Sequence, residues 1–323
     1  MPKAPRFLDL PGPGAPAPAE ELAVGLAASP ASIAPKFFYD ALGSRLFDAI
    51  TELPEYYLTR AEAAIFASSG DEIAAALPRD AVFVDLGAGN CRKAVSLFDR
   101  VSPRCYVAVD ISTDHLRRAL DAVQLERPEL DLWGVGMDFS RAFAWPEALP
   151  VPADLPRLLF YPGSSLGNFT PDAALHFLRD VRGACGHAPG SGLLIGVDLE
   201  KDAATLEAAY DDPLGVTAAF NRNVLLCANR LLGADFVLAD WRHVAFYDAA
   251  EHRIEMHLEA VRPVMVRWPG GRRSFTAGER IHTENSYKWS VERFEVLLAA
   301  AGFGAPRVWT DSASRFALAW APA

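Results

Sequence analysis

The chain has 323 residues, 51% of them hydrophobic and 22% charged, with a formal net charge of −10. Those proportions are ordinary for a globular protein with a sizeable core, and the acidic balance speaks against a nucleic-acid partner, whose phosphates call for a basic surface. No apolar run is long enough to span a membrane. The expectation is a monomer in the cytoplasm, with no membrane partner.

Residues 1–30 are rich in Pro and Ala and read as a tail, and the first twenty lack the apolar stretch of a secretory signal. Two aromatic clusters follow, Lys36-Phe37-Phe38-Tyr39-Asp40 and Leu53-Pro54-Glu55-Tyr56-Tyr57. An alternation of apolar strands and polar-apolar helices then begins, with strands at 82–85, 106–110, 158–161 and 193–197 and a weaker one at 131–135. Such alternation predicts an α/β fold, a parallel sheet with helices on both faces, in which ligands sit beyond the carboxyl ends of the strands. A long helical stretch at 201–232 breaks near Asp211-Asp212-Pro213. Strand-like alternation over 253–268 turns at Pro269-Gly270-Gly271 and returns over 274–283. A helix at 290–301 precedes two final strands at 306–310 and 315–320, which close the sheet as an antiparallel edge.

The most telling stretch is Val82-Phe83-Val84-Asp85-Leu86-Gly87-Ala88-Gly89-Asn90, followed by Tyr106-Val107-Ala108-Val109-Asp110. Glycines let a strand turn sharply and let backbone approach a ligand, while a carboxylate at the next strand tip can accept from both ribose hydroxyls. Together they describe a nucleoside pocket. A dinucleotide fingerprint would place another small residue three positions after Gly89, where Arg92 stands, and this disfavours a nicotinamide oxidoreductase. S-adenosylmethionine, which has a ribose and adenine but no pyrophosphate, fits better.

The four cysteines, Cys91, Cys105, Cys185 and Cys227, form no Cys-x-x-Cys pair, and no His/Cys cluster has metal-ligand spacing. They read as reduced thiols, and no metal is expected. Two more stretches are dense in polar groups, the Gly/Ser loop 161–169 and the run Arg280-Ile281-His282-Thr283-Glu284-Asn285-Ser286-Tyr287-Lys288. Taken singly, each is compatible with a turn, a solvated strand or core packing. Beside a nucleoside pocket they supply what a small zwitterionic substrate needs.

These stretches carry a close resemblance. Lys36-Phe-Phe-Tyr-Asp40 with Gly43-Ser44, Ile50-Thr-Glu-Leu-Pro-Glu-Tyr-Tyr57 with Thr59-Arg60, and Asp85-Leu-Gly-Ala-Gly89 match the histidine Nα-methyltransferases of ergothioneine biosynthesis. So do Asp138-Phe139, Phe160-Tyr-Pro-Gly-Ser-Ser-Leu-Gly-Asn-Phe169, Ala209-Tyr-Asp-Asp-Pro213, Phe220-Asn-Arg-Asn223 and Ile281-His-Thr-Glu-Asn-Ser286. The match runs from about residue 35 to the end of the chain. It implies a Rossmann-like class I methyltransferase domain over 61–198 and 288–323. A second, α+β substrate-binding domain would comprise 31–60 and 199–287.

The resemblance also implies roles. Tyr56, Gly87, Gly89, Lys93 and Asp110 would surround the methionine and ribose parts of S-adenosylmethionine, with Asp138 and Phe139 at the adenine. Asn168 and Tyr210 would hold the α-carboxylate and amine end of L-histidine, with Tyr39 near the reacting amine. Glu284 and Ser286 would hold the imidazole, and Met256 would pack beside it. Tyr39 is the one residue placed at the chemistry, mainly for positioning, and aromatic faces from Tyr39, Tyr56 and Phe47 suit a methylated ammonium. Two alternatives stay open: an N-methyltransferase of the same fold acting on another amino acid or amine, and a non-catalytic nucleoside-binding protein.

Overall fold

The computed structural model describes residues 3–10, 17–139 and 142–323; residues 1, 2 and 11–16 of the expected tail lie outside them. In chain order the strands are β1 (Arg6–Asp9), β2 (Ala31–Ser32), β3 (Val82–Leu86), β4 (Cys105–Asp110), β5 (Asp131–Gly136), β6 (Arg157–Tyr161) and β7 (Gly192–Asp198). They continue with β8 (Trp241–Asp248), β9 (Arg253–Ala260), β10 (Val264–Trp268), β11 (Gly271–Phe275), β12 (Arg280–Tyr287), β13 (Arg307–Thr310) and β14 (Phe316–Pro322). The α-helices are α1 (Pro18–Ala27), α2 (Ala41–Thr51), α3 (Leu58–Ala76), α4 (Arg92–Val95), α5 (Phe98–Val101) and α6 (Thr113–Glu126). After them come α7 (Pro171–Ala184), α8 (Ala203–Ala208), α9 (Val216–Leu232) and α10 (Val291–Ala300). Among the described residues no helix is long and apolar enough to cross a membrane.

The chain forms two compact units. The first holds the described residues of Met1–Pro13 with Leu58–Glu200 and Trp289–Ala323; the second holds those of Gly14–Tyr57 with Lys201–Lys288.

The first unit is built on a sheet of order β1-β5-β4-β3-β6-β7-β14-β13. The pairs from β1 across to β7 are parallel, and β14 and β13 close the sheet antiparallel. Every residue of β3 and β7 is buried, as expected for strands covered on both faces. The chain runs from β3 outward to β4 and β5, then crosses back to β6 and β7 on the other side. The topological switch point therefore lies between β3 and β6, where open α/β sheets take their ligands.

The first thirty residues are not simply a tail. Arg6–Asp9 adds an edge strand parallel to β5. Phe7 lies over Gly134, where an added Cβ would stand 2.4 Å from the Phe7 ring. Arg6 stacks 4.1 Å from the Trp133 ring centroid and pairs with Asp131 at 3.2 Å. A cation, an aromatic side chain and a matching glycine thus convert a Pro-rich segment into sheet. Downstream, α1 belongs to the second unit, where Leu22 and Leu26, four residues apart on one helix face, are both buried.

The second unit carries a sheet of order β2-β12-β9-β8 and a separate two-stranded ribbon of β10 and β11. The strand expected over 253–268 divides into β9 and β10, because Pro263 has no backbone donor for the ladder. Its return divides likewise into β11 and β12 around Gly278, whose φ of +82° makes the turn. Pro269-Gly270 joins β10 to β11, with Trp268 opposite Gly271. The helical stretch 201–232 breaks at Pro213, as its sequence predicts, into α8 and α9. Asp212 caps α9 by accepting from Thr217 N at 2.7 Å and Val216 N at 3.0 Å. Strand β8 was not foreseen, since its side chains are half-buried along most of its length and show no clean alternation.

Candidate active site

In the first unit the strand β3 ends in a turn where Gly87 has φ +72° and Gly89 φ +52°. Both sit in the left-handed region that glycine enters without penalty. Gly87 and Ala88 donate their N–H groups to Val109 O at 2.9 and 3.1 Å, which ties the turn to the end of β4. Asp110, the last residue of β4, accepts from Gly89 N at 2.9 Å and Ser112 N at 2.8 Å. Each carboxylate oxygen thus spends one lone-pair direction on the backbone, and the other remains for hydroxyl donors. Among the described residues, none apart from its chain neighbours comes within 4 Å of where a Gly89 Cβ would be, so the turn leaves open space there. The Phe139 ring stands 3.8 Å from a Cβ built on Gly87 and contacts Tyr161 and Phe177. Asp138 precedes it, just beyond the end of β5. Glycines with positive φ, a carboxylate at the neighbouring strand tip and an aromatic wall fit the ribose and adenine of a nucleoside without any phosphate cradle.

Lys93 in α4 is paired with Glu62 Oε2, and Glu62 Oε1 accepts from Gly163 N at 2.9 Å. One buried carboxylate therefore fixes both Lys93 and the turn after β6. Glu62 escaped the sequence reading, although the signal was there. It stands in the buried stripe Leu58, Ala61, Glu62, Ile65 of α3, where a carboxylate without a partner would be costly. Asp85 was likewise unassigned. Burial pushes its carboxyl up to about 7, against the hydrogen bond it accepts from Tyr106 at 2.7 Å. Burial, then the nearby Asp85, pushes the Cys91 thiol up to about 12, which disfavours the thiolate a nucleophile needs. All four cysteines are free and buried. Among the described residues no group of three or more His, Cys, Asp or Glu could hold a metal ion. Asn168 ends the 3-10 turn Ser165–Asn168, also in the first unit, and is half-buried.

In the second unit Tyr39, Phe47, Tyr56, Tyr210 and Phe220 form a continuous run of rings. Tyr39 meets Phe47 edge-on at 5.7 Å and Phe220 at 5.8 Å, Phe47 meets Tyr56 at 6.2 Å, and Tyr56 meets Tyr210 at 6.3 Å. Asp40 anchors the segment. It caps α2 through Leu42 N and Gly43 N, and it accepts from Asn223 at 2.9 Å and Arg230 at 2.9 Å. Burial raises the Asp40 carboxyl, but the bonds from Gly43, Arg230 and Asn223 outweigh it and leave it below its ordinary range. Phe220 was quoted in the sequence motif but given no role there. Tyr56, expected beside the cofactor, stands in this aromatic run.

The polar end of the second unit depends on a β-bulge. The register of β12 against β9 shifts between His282 and Glu284, so Thr283 is the extra residue. Past the bulge Glu284 lies directly across from Met256, and Ser286 across from Ile254, on the buried face. His282 points the other way and meets Asn285 at 2.8 Å, a structural contact. Ser286 Oγ is 2.7 Å from Tyr210 Oη, and the buried Lys288 ammonium donates to both. Burial pushes the Glu284 carboxyl up to about 8, with the charge of Lys288 pulling it down.

Comparisons with known proteins give the family. The family model described as histidine-specific, S-adenosylmethionine-dependent methyltransferase matches residues 18–323. A protein named Histidine N-alpha-methyltransferase from Mycobacterium tuberculosis is 43% identical over 303 residues, spanning 92% of both chains. Its namesake from Mycolicibacterium smegmatis is 41% identical over 93% of both. Ergothioneine biosynthesis protein 1 of Neurospora crassa is 32% identical over 84% of this chain and 31% of its own length. With a glycine turn and strand-tip carboxylate on a switch-point sheet, and a family match over almost its whole length, the chain belongs to the histidine-specific, S-adenosylmethionine-dependent methyltransferases.

Proposed function

We propose that this enzyme transfers three methyl groups from S-adenosylmethionine to the α-amino nitrogen of L-histidine. The product is hercynine, and the reaction opens ergothioneine biosynthesis. The observation that carries the choice of histidine is the buried face of β12, where Glu284 and Ser286 stand beside Met256. A carboxyl and a hydroxyl facing a ring with two nitrogens reward imidazole, whereas a phenyl or alkyl side chain would bury the Glu284 carboxyl against a surface that offers it no hydrogen bond.

Gly87, Gly89 and Asp110 would hold the ribose and methionine parts of the donor with Tyr56 and Lys93, and Asp138 and Phe139 the adenine. S-adenosylmethionine supplies an electrophilic methyl group on sulfur. The chain's own residues then have mainly to orient the amine in line with that methyl and to keep water away. Asn168 and Tyr210 would take the α-carboxylate, and Tyr39 would position the amine. The amine must arrive with its lone pair free. The first two transfers each release one proton from nitrogen, whereas the third leaves a fixed cation with none to lose. The ring faces of Tyr39, Phe47, Tyr56 and Phe220 suit that cation as methyls accumulate. No metal is needed for a displacement of this kind.

The test is product identification. Histidine and S-adenosylmethionine incubated with the enzyme should give a trimethylated product whose NMR methyl signal couples to the α-carbon. Methylation on a ring nitrogen would overturn the proposal.

A further inference from the structure

Lys288 has no part in the roles set out above, yet it is one of the largest fully buried side chains of the protein. Burying an ammonium is costly, and a buried charged group replaced together with its partners by apolar side chains of similar volume often leaves stability unchanged or higher. Stability is therefore a poor reason for its presence. Its surroundings supply a better one. Residues 284, 286 and 288 alternate along one face as β12 ends, so Glu284, Ser286 and Lys288 lie side by side. The Lys288 Nζ donates to Ser286 Oγ at 2.8 Å and to Tyr210 Oη at 3.1 Å, and it stands 4.7 Å from the Tyr210 ring centroid. The two hydroxyl oxygens are themselves 2.7 Å apart. The backbone is pinned as well, with Lys288 N donating to His252 O at 2.7 Å.

An ammonium has donors and no acceptor, so both hydroxyl oxygens must accept from it. Two hydroxyls carry two protons, and their mutual bond uses one. The second proton must then go to an acceptor outside the triangle. With a neutral or acceptor group in place of the ammonium, each hydroxyl could rotate and the pair could present a lone pair instead. Fixed as it is, the pair presents a proton, which suits a carboxylate oxygen or an imidazole lone pair and opposes a cation.

We propose that Lys288 is a positioning residue for substrate recognition, whose ammonium locks the Tyr210–Ser286 hydroxyl pair so that it presents its one remaining proton toward the amino-acid substrate. This inference rests on the reading of histidine as substrate, and it adds a residue that never touches the reacting atoms.

The experiment compares the intact enzyme with Lys288→Met, Lys288→Arg and a Tyr210→Phe/Ser286→Ala background. Calorimetry measures the binding of histidine in the presence of S-adenosylhomocysteine, and separately the binding of S-adenosylhomocysteine; initial rates give KM and kcat. Lys288→Met should raise the histidine Kd and KM by roughly tenfold or more, the loss of a charge-fixed hydrogen bond. Binding of S-adenosylhomocysteine should stay within about twofold and kcat at saturating histidine within about threefold, as for a contact shared by ground and transition states. Lys288→Arg should recover part of the affinity. In the background lacking both hydroxyls, Lys288→Met should add less than about twofold, because nothing remains for it to orient. An unchanged histidine KM in Lys288→Met would overturn the inference, as would an equal penalty in both backgrounds or a parallel loss of S-adenosylhomocysteine binding. A wild-type enzyme that binds S-adenosylhomocysteine but never histidine would instead overturn the functional reading, and this inference with it.

Discussion

Replacing Glu284 by alanine should turn a histidine enzyme into a poorly discriminating one. Glu284 is 8% exposed, opposite Met256, and burial holds its carboxyl up to about 8. Near neutral pH the empty site therefore holds mostly the neutral acid, which can donate to the imidazole lone pair, while its ionised form can accept from the ring N–H. Either way one proton is shared between carboxyl and ring. Losing a buried partner of this kind costs about 1.5–3 kcal/mol, or about 10- to 150-fold in kcat/KM for histidine. The same change removes the desolvation cost that phenylalanine and leucine meet on entering, so their kcat/KM should rise. Preference for histidine over phenylalanine should fall by at least about a hundredfold. Glu284→Gln keeps the volume, one donor and one acceptor, and should lose less than about tenfold. The assay is methyl transfer from labelled S-adenosylmethionine to each amino acid in turn, with S-adenosylhomocysteine affinity as the folding control. Unchanged discrimination in Glu284→Ala, with cofactor binding intact, would refute the placement of the imidazole at β12.

The raised Glu284 carboxyl also predicts how stability depends on pH. Between the ordinary range of a glutamate and about pH 8 the folded protein keeps a proton that the unfolded chain has lost, so this group makes stability fall as pH rises through that window. Glu284→Gln should show a smaller drop in Tm than wild type between about pH 5 and about pH 9, and an equal drop would contradict the burial argument. Glu62→Ala should weaken S-adenosylhomocysteine binding by roughly tenfold in calorimetry, because it frees both Lys93 and the Gly163 turn, while the second unit's contacts stay as they are. Gly43→Ala should cost about 2–4 kcal/mol in denaturant unfolding, since its Cβ would fall 1.6 Å from the Phe38 carbonyl oxygen; a near-neutral result would show that the α2 start can shift. Tyr39→Phe should keep most of kcat, because an amine that arrives deprotonated needs no relay; a loss beyond about a hundredfold would make Tyr39 a base or acid.

The first unit was largely legible in the sequence because its central strands are buried on both faces and read as unbroken apolar runs between turn residues. Val82-Phe83-Val84 and Leu193-Leu194-Ile195 are of this kind, and a Gly-x-Gly after the first names the turn. The edge strand β1 was missed because its apolar content is two residues, Phe7 and Leu8, and its stability comes from Gly134, Trp133 and Asp131, far along the chain. In the second unit the boundaries failed for a different reason. Half-buried strands such as β8 carry weak alternation, and the divisions at Pro263 and Gly278 depend on which strand pairs with which. The same holds for chemistry. Glu284 and Ser286 are conspicuous in a short polar run, but the bulge at Thr283 that sets them opposite Met256 and Ile254 is a pairing event that no local pattern announces. Glu62 and Lys288 act through partners distant in sequence, Gly163 and Tyr210, and only the fold brings those together.

The most direct test of histidine as the substrate is mass spectrometry of the enzyme incubated with S-adenosylmethionine and an equimolar mixture of the twenty amino acids. Histidine alone should gain three methyl groups, with the other amino acids unchanged. Methylation of a different amino acid would contradict the assignment of Glu284 and Ser286 to an imidazole, and cofactor binding with no methylated amino acid at all would contradict the account as a whole.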